Sequence, residues 1–522
     1  MRLITRLFLL ALLLATMVGC ASLPDDVQRT PSHTLVAPAT APLSQVAADA
    51  RIPDDKSGFW PMPASNFALD ARLTLIRQAR SSLDLQTYLI GNDTIGRLIL
   101  RELRDAAARG VRVRVLVDDL YTQGLDPLLL GLAAHDNVEV RLFNPFASGR
   151  DWSLGRFWGF ATDFRRLNHR MHNKLFIADG AMAIVGGRNL ADEYFFRSRD
   201  ANFLDMELLI AGALVPKLGV FFDSYWNSEQ VFPLHSIVRS LQPRLALQDD
   251  FEDRTSGPTD PATLPPAGKD SYGAPAFSTA LHTHQHHFVI AEAGAHADAP
   301  DKGRAVADAG QKPDTVTVRF MGFMGEAKEE TLLFSPYFIP GREGLKRMKA
   351  VRDRGVKVRV VTNAMGTSDE PLVNLGYERY RREMLGMGVQ LYEISSSRLT
   401  RDATLKSVLG SSRGRLHAKM AFIDRRLVLV GSMNLDPRST YTNTEIGIGI
   451  RSPELAKMIL DVYRADDFNG VYQVQLKPDG SGVQWVGRDK DGEEVLLDEP
   501  DIGPWQRFKL WLLYKFVPED LL

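Results

Sequence analysis

The sequence predicts an α/β protein of two duplicated domains, each a mixed β-sheet flanked by helices, with one site at the pseudo-twofold interface between them. Three observations predict this. A six-position pattern, H-x-K-x4-D-x6-G-[GS]-x-N, occurs twice, first as His172, Lys174, Asp179, Gly186, Gly187 and Asn189, then as His417, Lys419, Asp424, Gly431, Ser432 and Asn434. At average residue usage such a pattern arises by chance at roughly one start in tens of millions. The run ARGVRVRVLV at 108–117 is echoed by DRGVKVRVVT at 353–362, and Gly355 follows Gly110 by the same 245 residues that separate His417 from His172. Finally, strand signals alternate with helix signals in both halves, as layered α/β folds require.

The chain has 522 residues, enough for two to four domains with a large core. Lys and Arg number 63 against 64 Asp and Glu, so there is no basic field to neutralise a phosphate backbone, and a nucleic-acid partner is not expected. No internal run of about 20 apolar residues follows the N-terminus, so no spanning helix is indicated there.

Taken in order, residues 1–19 read as an export signal. Arg2 and Arg6 precede the mostly apolar run Leu7 to Val18, which at about 12 residues suits a signal core better than a membrane span. Met17-Val18-Gly19-Cys20 resembles a bacterial lipobox and predicts lipidation of Cys20, the only cysteine, so no intramolecular disulfide is possible. From that resemblance, Ala21 rather than Asp after the cysteine favours the outer membrane facing the periplasm, with the inner membrane still open. Residues 20–56, rich in Pro, Ala, Ser and Thr, read as a tether.

The first domain is expected over 57–240 and the second over 315–522. Each opens with an amphipathic helix (67–80; 317–329) and a strand ending in QTYLI (86–90) or SPYFI (335–339). A helix closed by Gly110 or Gly355 and an alternating strand follow. Around each motif the chain reads strand–turn–strand: 174–178 and 183–185 flank the hairpin signal Asp179-Gly180. Histidine and lysine at i and i+2 of a strand share one face, and the asparagine past the second strand reaches the same place. Asp179 and Asp424 alternate away from that face and read as holders of a turn or a salt bridge. Gly186, Gly187 and Gly431 allow close backbone approach.

Residues 241–314 interrupt the repeat. They are rich in Ala, Pro, Asp and Gly and hold His282, His284, His286 and His287. No adjacent Cys or carboxylate spacing supports a zinc site, so they read as a connecting insertion with a strand near 288–291. Two segments suit a membrane interface or packing onto the protein equally, the first as a lid and the second by docking on the second domain. One is the aromatic and arginine-bearing loop 151–160; the other is the amphipathic C-terminal helix 504–516, with Arg507, Lys509 and Lys515.

The doubled motif resembles the HKD signature of the phospholipase D superfamily. The flanking runs FNPF (143–146) and ATDFRRLNHRM (161–171), with GGRN at 186–189, are similar to bacterial cardiolipin synthase C and its lipoprotein-like relatives. The resemblance covers most of the chain from about residue 66. It implies phosphodiester transfer through a phosphohistidine, with no metal or other cofactor. Either histidine could serve as nucleophile; the preferred assignment is His172 as nucleophile and His417 as general acid and base. Lys174, Lys419, Asn189 and Asn434 would stabilise charge on the transferring phosphoryl group. An acidic residue orients each histidine, and the candidates are Glu445, 28 residues after His417, and Asp205, 33 residues after His172. The implied partners are phospholipids: phosphatidylglycerol as acceptor, with phosphatidylglycerol or phosphatidylethanolamine as donor. A hydrolytic phospholipase D and a silent scaffold for anionic lipid are the alternatives; oligomeric state is left open.

Overall fold

The computed structural model describes residues 22–257, 266–303, 314–401, 411–463, 470–489, 492–515 and 517–519. The expected export signal and Cys20 lie outside the described residues. Strands of the first half are β1 (Ser57–Pro61), β2 (Ser82–Thr87), β3 (Arg112–Asp118), β4 (Val138–Phe143), β5 (Leu175–Ala178), β6 (Met182–Gly186), β7 (Ala201–Leu204), β8 (Glu207–Gly212) and β9 (Val231–Pro233). Strand β10 (Val289–Ala297) leads into the second half: β11 (Glu330–Phe334), β12 (Lys357–Asn363), β13 (Gln390–Ile394), β14 (Arg413–Leu416), β15 (Met420–Ile423), β16 (Leu427–Gly431), β17 (Ile446–Arg451), β18 (Val471–Leu476), β19 (Val483–Asp489) and β20 (Gly492–Leu496).

The pairings confirm the duplication. The first sheet runs β9-β4-β3-β2-β5-β6-β8-β1, with β2, β3 and β4 parallel and the other neighbours antiparallel. The second runs β18-β13-β12-β11-β15-β16-β17-β10 in the same senses, and the β19–β20 hairpin extends its far edge. The matched edges β1 and β10 pair with each other (Ser57↔Ala291, Phe59↔Val289), which joins the two sheets into one. A separate parallel pair, β7 with β14, also crosses between halves (Ala201↔Arg413 to Leu204↔Leu416). One buried apolar cluster spans the junction, with Phe59, Met171, Leu208 and Ile210 beside Leu416, Ile446 and Ile448.

Local sequence explains the elements. The helix Thr94–Ala108 starts at Asp93, whose carboxylate accepts from the Gly96 N–H, and stops at Gly110, which takes φ +91°. Gly355 repeats that stop at φ +84°. The first amphipathic helix spans Ser65–Gln78; its counterpart is shorter than expected, Val316–Met324, because Gly322 and Gly325 weaken its C-terminal end. The expected loop 151–160 is largely a helix, Ser153–Thr162.

Two segments outside the repeated units form part of the fold. The described part of the supposed tether is packed on the first domain. Pro42–Asp49 is a helix that buries Leu43 and Val46. The carbonyls of Thr30 and Ser32 accept from Arg141 and Arg114, buried strand arginines, and complete hydrogen bonding that Glu139 and Asp84 supply only in part. The insertion is likewise structured: Arg244–Thr255 packs on the helix Asp126–Ala133, and β10 closes the inter-domain edge. Among the described residues, no helix is long and apolar enough to cross a membrane.

Asp179 and Asp424 hold turns, as their alternation implies. Each sits at positive φ, +56° and +50°. The Asp179 carboxylate accepts from the backbone N–H groups of Arg80, Ser81 and Ser82. Asp424 accepts from those of Lys328, Glu329 and Glu330. Each aspartate thus fastens its motif hairpin to the start of the central strand, β2 or β11. Asp179→Ala removes a buried charged acceptor from three N–H groups and should lower unfolding free energy by about 3 kcal/mol, measurable by denaturant titration; a loss below about 0.5 kcal/mol would contradict this role.

Candidate active site

The two motifs converge through their hairpins. His172 lies in the extended segment leading into β5, and its backbone N–H donates to the Thr444 carbonyl just before β17. His417 lies between β14 and β15, and its N–H donates to the carbonyl of Leu204, the last residue of β7, three residues before β8. Each histidine is therefore carried by its own half but docked on the strand entrance of the other.

That docking fixes the carboxylate pairing. Asp205 and Glu445 occupy equivalent positions, since β6 pairs Gly186 with Glu207 where β16 pairs Gly431 with Gly447. Counted along the chain, each carboxylate falls with the histidine of its own half. In space the pairs cross. Nδ1 of His172 lies 3.0 Å from Glu445 Oε2, and Nδ1 of His417 lies 2.6 Å from Asp205 Oδ2. Both carboxylates are fully buried. A carboxylate on Nδ1 holds the proton there and leaves Nε2 with its lone pair, the state a nucleophile or base needs.

Burial, with both lysines nearby, pushes the His172 imidazole down to about 4. The same burial beside Lys419 takes His417 to about 4. Both rings are therefore neutral near pH 7. Desolvation also lowers Lys174 to about 7 and Lys419 to about 8. Burial alone would raise Glu445, but the His172 imidazole and Lys174 outweigh it and hold the carboxyl at about 2. Burial costs the two lysines more than Glu445 and Asp205 return, so an entering monoanion stabilises their charged forms.

The lysines are positioned by their own strands: Lys174 Nζ donates to the His172 carbonyl at 2.8 Å, and Lys419 Nζ to that of His417 at 2.7 Å. Asn189 Nδ2 donates to the Tyr194 hydroxyl at 2.8 Å, while the Asn434 N–H donates to Ser439 Oγ at 3.1 Å. The Oδ1 atoms of both asparagines are buried and have no hydrogen-bond partner among the described residues. The structure thus brings together His172, Lys174, Asn189 and Asp205 with His417, Lys419, Asn434 and Glu445.

The halves differ around the carboxylates. Glu445 accepts from Ser432 Oγ at 2.5 Å and Ser439 Oγ at 2.8 Å as well as from His172. At the matching positions stand Gly187 and Tyr194. Asp205 accepts only the Met206 N–H besides His417 among the described contacts, and a Cβ on Gly187 would fall on its Oδ1. The glycine leaves room for a carboxylate that reaches His417 on a shorter stem.

Several neighbours carry no motif. The Tyr88 ring sits edge-on to His172, with centroids 4.9 Å apart, and Tyr121 packs on Tyr88 at 5.2 Å. Tyr194 and Phe203 flank His417 at 5.0 and 4.9 Å. Asp298, just past β10, accepts the Glu445 N–H, and Lys302 links Asp298 to the carbonyls of Ser439 and Asn443. Tyr88 had a sequence signal, as Tyr337 ends the matching strand of the repeat. Asp298 had none, lying in a segment without a counterpart in the other half.

A duplicated α/β fold with paired His-Lys-Asn sets across a pseudo-twofold axis defines a phospholipase D-like protein. The chain belongs to that family: a sequence profile described as "Cardiolipin synthase, PLD-like domain" matches residues 73–226 and 321–466. It is 36 % identical over 452 residues to cardiolipin synthase C of Escherichia coli K12, covering 86 % of this chain and 93 % of that protein. A Staphylococcus aureus cardiolipin synthase is 24 % identical over 393 residues, 75 % of this chain and 63 % of that one. The crystal structure of phosphatidylserine synthase from Haemophilus influenzae shares the fold at a TM-score of 0.56 and 13 % identity, covering 92 % of this chain and all of that one.

Gly187→Ser places the hydroxyl that serves Glu445 in the second half against Asp205. It should push Asp205 off His417 and lower turnover on any phosphodiester substrate at least a hundredfold. Steady-state kinetics at unchanged folding, checked by circular dichroism, measures this; near-normal turnover would show that the Asp205–His417 contact is dispensable.

Proposed function

We propose that this protein is a phosphatidyl transferase that makes cardiolipin from phosphatidylglycerol and a second phospholipid through a phosphohistidine. The observation that carries the reading is the crossed pair of buried imidazole–carboxylate contacts with a lysine and an asparagine beside each.

In the first step Nε2 of His172 attacks phosphorus of the donor lipid, and the bond to the headgroup oxygen breaks. The charge of the bound phosphodiester favours a protonated His417, whose Nε2 takes up a proton from solvent and gives it to that oxygen as the bond breaks. In the second step the hydroxyl of phosphatidylglycerol loses its proton to His417 and attacks phosphorus, and the P–N bond breaks. Lys174, Lys419 and the asparagine amides meet the charge that grows on the non-bridging oxygens.

The carboxylate surroundings support His172 as nucleophile. Three donors share the charge of Glu445, which weakens its pull on a proton at His172. Asp205 makes the shorter contact, which suits His417 for carrying the imidazolium charge of an acid and base.

The rims of the site support a lipid substrate. The short turn Asp119–Tyr121 is bonded to the helix Ser153–Thr162, since Arg156 donates to the Asp119 and Leu120 carbonyls. That region exposes Trp152, Leu154, Phe157 and Trp158. In the second domain Thr367 donates to Asp501, just before the helix Pro504–Tyr514, which exposes Trp505, Phe508 and Trp511 in one stack. Exposed aromatics interleaved with Lys509 and Lys515 fit the interface of an anionic bilayer. Lipidation at Cys20 and an envelope location belong to the same reading.

Lipid mass spectrometry on the detergent-solubilised protein, given phosphatidylglycerol with and without phosphatidylethanolamine, tests it. The expected product is cardiolipin that disappears with His172→Ala. Phosphatidic acid as the sole product would replace the transferase by a hydrolase, and no product would remove phospholipids from the reading.

A further inference from the structure

The catalytic reading leaves the histidine run at 282–287 without a role. It starts in the last turn of the helix Phe277–Thr283 and leads directly into β10. His284 ends that helix in the left-handed conformation, φ +54°, which is uncommon for a residue with a side chain.

The fold supplies a carboxylate that no local spacing announces. Asp49, the last residue of the helix Pro42–Asp49, approaches this loop from more than two hundred residues away. Its Oδ2 lies 2.8 Å from His284 Nδ1 and 3.9 Å from His286 Nε2. One ligand atom from each of the three residues lies within 4.8 Å of the other two.

A second observation is independent of that proximity. The His286 side chain is only 1 % exposed, yet neither ring nitrogen has a hydrogen-bond partner among the described residues. A buried imidazole with both nitrogens idle is costly unless something outside the chain engages it. Phe277 and Phe288 pack around the ring, with centroids 6.5 and 6.1 Å away. The 3.9 Å separation is too long for a hydrogen bond. It is close to the spacing of about 3.4 Å between two ligands that share a tetrahedral ion at about 2.0–2.1 Å.

We propose that Asp49, His284 and His286 bind one divalent zinc-type cation, which clips the N-terminal segment to the linker that becomes β10. Two imidazole nitrogens and one carboxylate oxygen select zinc or a neighbouring transition metal over calcium or magnesium. The fourth position falls to water. Because the ion closes a loop of more than two hundred residues, it stabilises the fold, and because its ligands are not among the residues around His172 and His417, turnover does not depend on it.

The test is zinc titration of the purified full chain, carrying no histidine tag, against a chromophoric competitor, with melting curves in zinc and in EDTA. One zinc per chain is expected, with a Tm that rises in zinc and falls in EDTA. Asp49→Ala, a change at an exposed position, should weaken binding at least tenfold and abolish the zinc-dependent Tm shift, and His286→Ala should do the same. The double variant His282→Ala/His287→Ala should bind as the unmodified chain does. Equal affinity in the Asp49 variant, loss of binding only in the His282/His287 variant, or no zinc bound at micromolar concentration would each overturn the site.

Discussion

Two imidazole–carboxylate contacts run across the pseudo-twofold axis, His172 to Glu445 and His417 to Asp205, and the inter-domain architecture is what makes them possible. A histidine supplied by one hairpin and oriented by the other half's strand entrance works only if the halves keep their relation to within a fraction of an ångström. Three devices hold that relation. The edges β1 and β10 pair directly, β7 and β14 form a second bridge, and one apolar cluster runs through both. Leaving a buried carboxylate without its imidazole donor costs about 3 kcal/mol, so the site and the domain interface support each other. Neither half alone holds a complete histidine with its carboxylate.

The duplication is not a perfect copy, and the departures fall around the carboxylates. Ser432 and Ser439 tune Glu445; Gly187 and Tyr194 stand in their places and leave Asp205 to His417. Two chemically similar histidines thereby meet two different partners. That difference suits the two-step transfer proposed above, in which one imidazole bonds to phosphorus while the other moves protons.

Much of this was legible in the sequence. The repeated spacing and the shared 245-residue offset gave the duplicated α/β plan, and alternation separated His172 and Lys174 from Asp179, which clamps three backbone amides. The crossing was not legible, because it depends on β7–β14 and β1–β10 pairings between distant segments with no turn signal to announce them. The tether was misread for a related reason. A Pro- and Ala-rich composition marks a chain without a core of its own, but the carbonyls of Thr30 and Ser32 answer arginines of β3 and β4 that the composition cannot show. Asp49 beside His284 was hidden in the same way, by sequence distance.

The crossed pairing is tested most directly by pre-steady-state kinetics on a phosphatidyl donor with a nitrophenolate leaving group, which departs without a proton. With Asp205→Asn, the account predicts a normal burst of nitrophenolate and a phosphatidyl adduct on His172, followed by slow breakdown, because only the step that needs His417 is impaired. With Glu445→Gln the burst itself should slow. The reverse result, a slow burst with Asp205→Asn and slow breakdown with Glu445→Gln, would contradict the crossed assignment of histidines to carboxylates and with it the roles given to the two halves.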